Sequence, residues 1–167
     1  MTQVAEVRVR RARPSDAEQI AAFVNRVRSQ GPAVTREAVL QRLGVVGFLI
    51  AEVEQEIVGL LGWQVENLVV RVADFLIYPH RYRVSAGRAL LNEMEKEAQE
   101  LQAEAAILFM PANTPQEVID FWEAFNYGFR EVASLPKAWR EAAREANPTA
   151  EWVVLKQLRA DRVVRPL

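Results

Sequence analysis

The sequence predicts an α/β (α+β) chain: a mixed central sheet of about seven strands flanked by helices. Three observations predict it. Short apolar runs and period-two alternations recur from end to end of the chain. Stretches with apolar residues at helical spacing interrupt them. One strand–helix–strand segment has the spacing of a right-handed crossover, which makes its two strands parallel neighbours.

Val4 to Arg11 alternates, with Val7 and Val9 against Glu6, Arg8 and Arg10, and predicts the first strand. A helix over about 16–28 follows, its apolar stripe formed by Ile20, Phe23, Val24 and Val27. Ser15 and Glu18 have the spacing of a capping box at its start. Gly31-Pro32 breaks the chain, and Thr35 is placed to cap a second helix carrying Val39, Leu40 and Leu43. Gly47 to Val53 and Ile57 to Val65 read as strands joined through Glu54-Gln55-Glu56 in a hairpin. Asn67 turns the chain into a strand from Leu68 to Tyr78, which Pro79 stops because proline cannot donate to the ladder.

From Ala86 to about Leu101 the pattern is helical, with Leu90, Leu91, Met94, Ala98 and Leu101 on one side. Ala105 to Met110 is the parallel strand. Thr114-Pro115-Gln116-Glu117 opens a helix to about Phe125 with a capping box and proline at its first position. Phe129 to Ala133 and Glu151 to Leu158 are the last strands. Between them Pro136 and Pro148 bracket a further helix from Lys137 to Ala146, rich in Ala, Glu and Arg. Trp139 is its only large aromatic. It either pins the helix to the core or contacts a substrate or second subunit, so a homodimer stays open. A single domain is expected over 1–160, with 161–167 as a short C-terminal tail.

Composition excludes several chemistries. The 167 residues contain no cysteine, so disulfides, thiolate metal sites and a cysteine nucleophile are ruled out. His80 is the single histidine, too few for a multi-histidine metal site. The formal charge is −1 and the arginines lie among a similar number of acids, which argues against a nucleic-acid or anionic-membrane partner. There is no signal-peptide core and no apolar run of membrane-spanning length, so the expected compartment is the cytoplasm.

Three stretches resemble one family. They are Arg10 to Val24 (RRARPSDAEQIAAFV), Ala73 to Glu95 (ADFLIYPHRYRVSAGRALLNEME) and Asn113 to Val132 (NTPQEVIDFWEAFNYGFREV). With the order β-α-α-β-β-β-α-β-α-β-β, they resemble the GCN5-related N-acetyltransferase (GNAT) superfamily over nearly the whole chain. The resemblance implies the GNAT fold and acetyl-CoA as co-substrate. It also implies transfer of an acetyl group to an amine of a small molecule or protein. The family's pyrophosphate loop, Q/R-x-x-G-x-G/A, falls on Tyr82, Arg83, Val84, Ser85, Ala86 and Gly87. Of these, Gly87 fits, Tyr82 takes the Q/R position and Ser85 replaces the first glycine. Arg81, Arg83 and Arg88 supply charge, and the Ser85 hydroxyl is a donor for phosphate. The other reading is a plain strand-to-helix turn with solvated arginines. Leu76, Ile77 and Tyr78 occupy the splayed strand end that pairs with the pantetheine arm in the family. Asn113, which opens the late motif, completes the cofactor-binding set.

Acetyl transfer requires a neutral amine, a stabilised oxyanion and a proton for the thiolate. The family often takes that proton from a late-helix tyrosine, a position held here by Trp122, whose indole is a poor acid. Asn126 falls on the helix-ending glycine and tolerates the same left-handed backbone. Tyr82 and Tyr127 are the substitutes for the acid; Tyr127 lies where the family has a packed aromatic. Asp74 is the first candidate base, because a charge inside an apolar strand needs solvent or a partner. A polar cleft, an ion pair with Arg71 and a partly covered strand face each explain it. Glu52 and Glu66 are weaker candidates, and His80 reads as a solvated loop residue. The expected function is an acyl-CoA-dependent N-acyltransferase. The alternative is a catalytically impaired module of the same fold that binds acyl-CoA or another ligand, or serves in protein interaction or dimerisation.

Overall fold

A computed structural model describes residues 6–160. The chain runs β1 (Arg8–Arg11), α1 (Ala17–Val27), α2 (Arg36–Leu43), β2 (Gly47–Val53), β3 (Glu56–Glu66) and β4 (Val69–Ile77). It continues through α3 (Arg83–Glu100), β5 (Ala105–Met110), α4 (Gln116–Glu123), β6 (Gly128–Glu131), α5 (Lys137–Ala146) and β7 (Trp152–Gln157). The strands form one seven-stranded mixed sheet in the order β1-β2-β3-β4-β5-β7-β6. β4 and β5 are the parallel pair that the crossover requires, and β1–β2, β2–β3, β5–β7 and β6–β7 are antiparallel. Of the expected first strand, Arg8 to Arg11 is formed, while Val4 and Ala5 lie outside the described residues.

Contacts along the chain divide it into two compact units, 6–64 with 73–94 and 65–72 with 95–160. In the first, α1 buries Ala17, Ile20, Ala21, Phe23 and Val24 in a cluster with Val39, Ile50, Ile57 and Leu60. The entry to α1 differs from the capping box expected of Ser15 and Glu18, both of which are exposed. Proline at the start of the 3₁₀ turn Pro14–Asp16 brings Asp16 one turn on, where its carboxylate accepts the Arg13 N–H at 2.7 Å. The same carboxylate takes two hydrogen bonds from the Arg10 guanidinium, each 2.8 Å, while Arg10 Nε donates to Glu52 at 2.6 Å. Thr35 caps α2 as expected, accepting the Ala38 N–H at 3.1 Å. Glu54 (φ 51) and Gln55 (φ 69) both take the left-handed conformation that a two-residue hairpin turn demands.

The hydrogen bonds from Arg10 hold the Asp16 carboxyl below its ordinary range, outweighing its desolvation. The folded pKa lies under the unfolded one, so this stability is present above about pH 4 and disappears as pH falls through the carboxylate range. Acid titration of Asp16→Asn is expected to show a shallower loss of stability below about pH 5 than the unsubstituted protein. Parallel curves for the two would remove Asp16 from the acid response.

In the second unit, Val69, Ala105, Ile107, Val153 and Leu155 meet Val132, Leu135, Trp139, Ala142 and Ala143 in a closed apolar cluster. The extra helix expected between Pro136 and Pro148 is α5. Its Trp139 is 4% exposed and donates its indole N–H to Glu104 Oε1 at 2.8 Å, so it pins the helix rather than facing outward. Glu104 is itself only 1% exposed. Two late boundaries differ from expectation. Thr114 does not cap α4: its hydroxyl donates to the Pro111 carbonyl, and Pro115 precedes the helix, its carbonyl accepting the Val118 and Ile119 N–H groups. β6 ends at Glu131, where Val132–Ser134 turns into a 3₁₀ segment.

Candidate active site

The parallel ladder pairs Val69, Val70 and Arg71 with Ala105, Ala106 and Ile107, the first three residues of each strand. β4 then continues to Ile77, beyond that ladder, and the Tyr78 N–H bonds to the Val58 carbonyl in the first unit. Tyr78 is exposed, with the Arg26 guanidinium 5.9 Å from its ring centre.

The backbone between Pro79 and Gly87 corrects the expected phosphate loop. His80–Tyr82 is a 3₁₀ turn, closed by the Tyr82 and Arg83 N–H groups on the Pro79 and His80 carbonyls. Helix α3 therefore opens at Arg83 rather than Ala86. Arg83, Val84 and Ser85 form its first turn, and Ala86 and Gly87 are buried within it. A residue with a side chain at the first glycine position, Ser85, favours helix over the glycine nest. Its hydroxyl lies 3.4 Å from the Tyr82 carbonyl, as a donor. Gly31 is the one glycine with positive φ among the described residues, so Gly87 does not use a left-handed backbone. His80 is exposed, as expected, and so are Arg81 and Arg88. The Arg81 guanidinium covers the Tyr82 ring at 4.9 Å, and the Tyr82 hydroxyl has no hydrogen-bond partner among the described residues.

Asp74 points from β4 into a cavity of about 230 Å³ formed by α1, α2 and the sheet. The walls are apolar, with Ile20, Val24, Val39, Phe48, Leu60 and Leu76 among them, and the polar lining is Arg28, Arg42 and Asp74. The partner of Asp74 is Arg42 of α2, not Arg71: Nε and Nη2 both donate to Oδ2, at 3.0 and 2.9 Å. Arg71 is instead 3.7 Å from Glu66. Room for the carboxylate comes from Gly62 on β3, where a Cβ would lie 2.5 Å from Asp74 Oδ2. Of the weaker base candidates, Glu52 is held by Arg10 and Glu66 by Arg71. Sequence reasoning missed Arg28 and Arg42 as lining residues; nothing in the spacing of α2 marks Arg42 as meeting a strand 32 positions on.

Neither a protein-family model nor a curated protein sequence matches the chain. Solved structures do. A GNAT-family acetyltransferase from Staphylococcus aureus Mu50 superposes with TM-score 0.66 at 17% identity, covering 92% of this chain and 99% of its own. One from Streptococcus pneumoniae gives 0.63 at 18%, covering 90% and 96%. The PaiA N-acetyltransferase of Thermoplasma acidophilum, solved with coenzyme A, gives 0.62 at 12%, covering 91% and 99%. The chain has the GNAT fold.

On that fold the late-helix positions carry packing. Trp122, at the GNAT tyrosine position, is 3% exposed and meets Tyr127 edge-on at 5.2 Å. Asn126 ends α4 in the left-handed conformation, φ 69. The Asn126 and Tyr127 N–H groups bond back to the Glu123 and Trp122 carbonyls, the Schellman pattern, and the Trp122–Tyr127 contact is its apolar clasp. Tyr127 donates its hydroxyl to Glu95 at 3.1 Å, and Glu95 also pairs with Lys156. Burial, with the adjacent Glu95 carboxylate, pushes the Tyr127 phenol far above its ordinary range, so it keeps its proton and is a core residue. Asn113 is exposed in the connection after β5, in the second unit. Among the described residues no acidic, histidine or cysteine cluster suits a metal ion, and no helix is long and apolar enough to cross a membrane.

Proposed function

We propose that the chain is a GNAT superfamily member that uses acetyl-CoA to acylate an amine. The carrying observation is β4 running beyond its ladder with β5 into a helix N-terminus ringed by arginines, on a fold shared with a coenzyme A-bound acetyltransferase. The donor set suits a pyrophosphate. The N-terminal end of α3 favours an anion through the helix dipole, and Arg81 and Arg88 are exposed near it in the sequence. The helix end and arginine charge take over the work of the glycine nest. Leu76, Ile77 and Tyr78 would hold the pantetheine arm, and Tyr82 to Arg88 the phosphates.

Bound acetyl-CoA would supply the electrophilic thioester carbonyl. In this reading Asp74 orients the acceptor amine through Oδ1, the oxygen left open by Arg42. Tyr82, with its free hydroxyl, is the acid for the leaving thiolate. Proximity contributes much of the rate in such a site, so a weak acid slows it without abolishing it.

A second reading has a specific basis. Trp122 and Tyr127 are both locked in packing, which leaves the usual acid position empty of an acid. The chain would then bind acyl-CoA without turnover.

Thermal unfolding with acetyl-CoA tests the proposal. At about 100 Kd, binding stabilises by about 2.7 kcal/mol, roughly 5–10 °C for a chain of this size. Gly87→Leu and the paired change Arg81→Gln/Arg88→Gln are both expected to reduce the shift; the second alters only exposed side chains. No shift at millimolar acetyl-CoA would sink the proposal, and a shift without thiol release across an amine panel would select the second reading.

A further inference from the structure

The cavity between α1, α2 and the sheet carries two charged handles that the protein leaves open. Asp74 uses only Oδ2 in its pair with Arg42, and Oδ1 has no partner among the described residues. Arg28, at the C-terminal end of α1, makes no side-chain hydrogen bond or ion pair among the described residues. Everything else that lines the cavity is apolar, apart from Arg42, whose charge Asp74 offsets. An apolar cavity of about 150 Å³ already admits benzene, so about 230 Å³ holds an aromatic or branched aliphatic group with a short arm.

We infer that this cavity binds a free apolar α-amino acid. Its side chain fills the space among Val24, Val39, Phe48 and Leu60. Its ammonium group meets Asp74 Oδ1 and its carboxylate meets Arg28. The argument is one of charge. A simple amine would leave Arg28 unanswered, in a lining whose formal charge is +1, whereas a simple carboxylate would leave Asp74 Oδ1 open. A zwitterion answers both, and the apolar walls select its side chain, because a polar one would lose its hydrogen bonds to water without replacement. As a binding site this stands alone. As the acceptor site of an acyltransferase it rests on the function proposed above.

Calorimetric titration of the full chain without acetyl-CoA separates the two. L-Phenylalanine is the probe, with 2-phenylethylamine and 3-phenylpropionate as analogues lacking one handle each, and L-aspartate as the polar control. Each analogue is expected to bind at least about tenfold more weakly than phenylalanine, the worth of one hydrogen bond to a charged group. Arg28→Gln should weaken phenylalanine about tenfold while leaving 2-phenylethylamine unchanged. Asp74→Asn should weaken phenylalanine similarly without weakening 3-phenylpropionate, because it also frees the Arg42 guanidinium, and retained binding of that probe shows that the variant is folded. No heat with phenylalanine at millimolar concentration would overturn the inference, as would equal binding of either analogue or tighter binding of aspartate. Acetyl-CoA is absent throughout, so failure here leaves its thermal shift standing, and failure of that shift leaves amino-acid binding standing.

Discussion

Trp139→Ala is expected to cost stability at the upper end of about 3–5 kcal/mol, the range for emptying a buried aromatic site. The indole is 4% exposed among Val132, Leu135, Ala142, Ala143, Val153 and Leu155, so no solvated side chain can swing into the space. Its N–H also donates to Glu104, a carboxylate on the floor of the same unit that is 1% exposed. Removing that donor adds a desolvation cost to the cavity cost. Trp139→Phe retains most of the ring volume and loses the donor, so its cost is expected near about 1–3 kcal/mol. Urea unfolding with unchanged slope m distinguishes the two variants. A loss under about 1 kcal/mol for the alanine variant would mean that α5 is held by something other than its tryptophan.

The order of elements was legible because it rests on local periodicity. The apolar runs of β2 and β3, the stripe on α1, the alanine-rich α5 between its prolines and the strand stop at Pro79 all survive in the structure. Asn67 and Asn126 were legible for a related reason, since asparagine tolerates left-handed backbone and both adopt it. Caps were less legible, because several hydroxyl and carboxylate residues compete for one helix end. Asp16 displaced Ser15 by reaching Arg10 and the Arg13 N–H together, a choice made by a strand rather than by the helix. The start of α3 was misplaced because a loop was read into Tyr82 to Gly87, where the side chain at Ser85 lets the helix begin at Arg83. The charged interior was not legible at all. Asp74 stood out as a charge in an apolar run, but its partner Arg42 is 32 positions away. Nothing in the spacing of Glu95 and Glu104 marks them as buried, yet Tyr127 and Lys156 close over the first and Trp139 over the second.

Gly47→Ala is expected to destabilise by about 1–3 kcal/mol, through a clash that a second substitution relieves. Gly47 and Trp63 face each other across the β2–β3 ladder. A Cβ at Gly47 would stand 2.6 Å from Trp63 Cε2, 2.9 Å from Cζ2 and 3.0 Å from Nε1, all closer than van der Waals contact allows. The indole is 9% exposed, so it cannot rotate clear without displacing its neighbours. Its N–H is also buried with no hydrogen-bond partner among the described residues, so part of what the ring gains by packing is lost to desolvation. Trp63→Leu should consequently cost less than a buried tryptophan ordinarily does. It also removes the atoms that the new methyl would strike. The double variant Gly47→Ala/Trp63→Leu is therefore expected to be more stable than the sum of the singles implies, by about 1 kcal/mol or more, in a double-mutant cycle followed by urea unfolding. Additive losses would show that Gly47 is needed for its backbone rather than for the space its missing side chain leaves to Trp63.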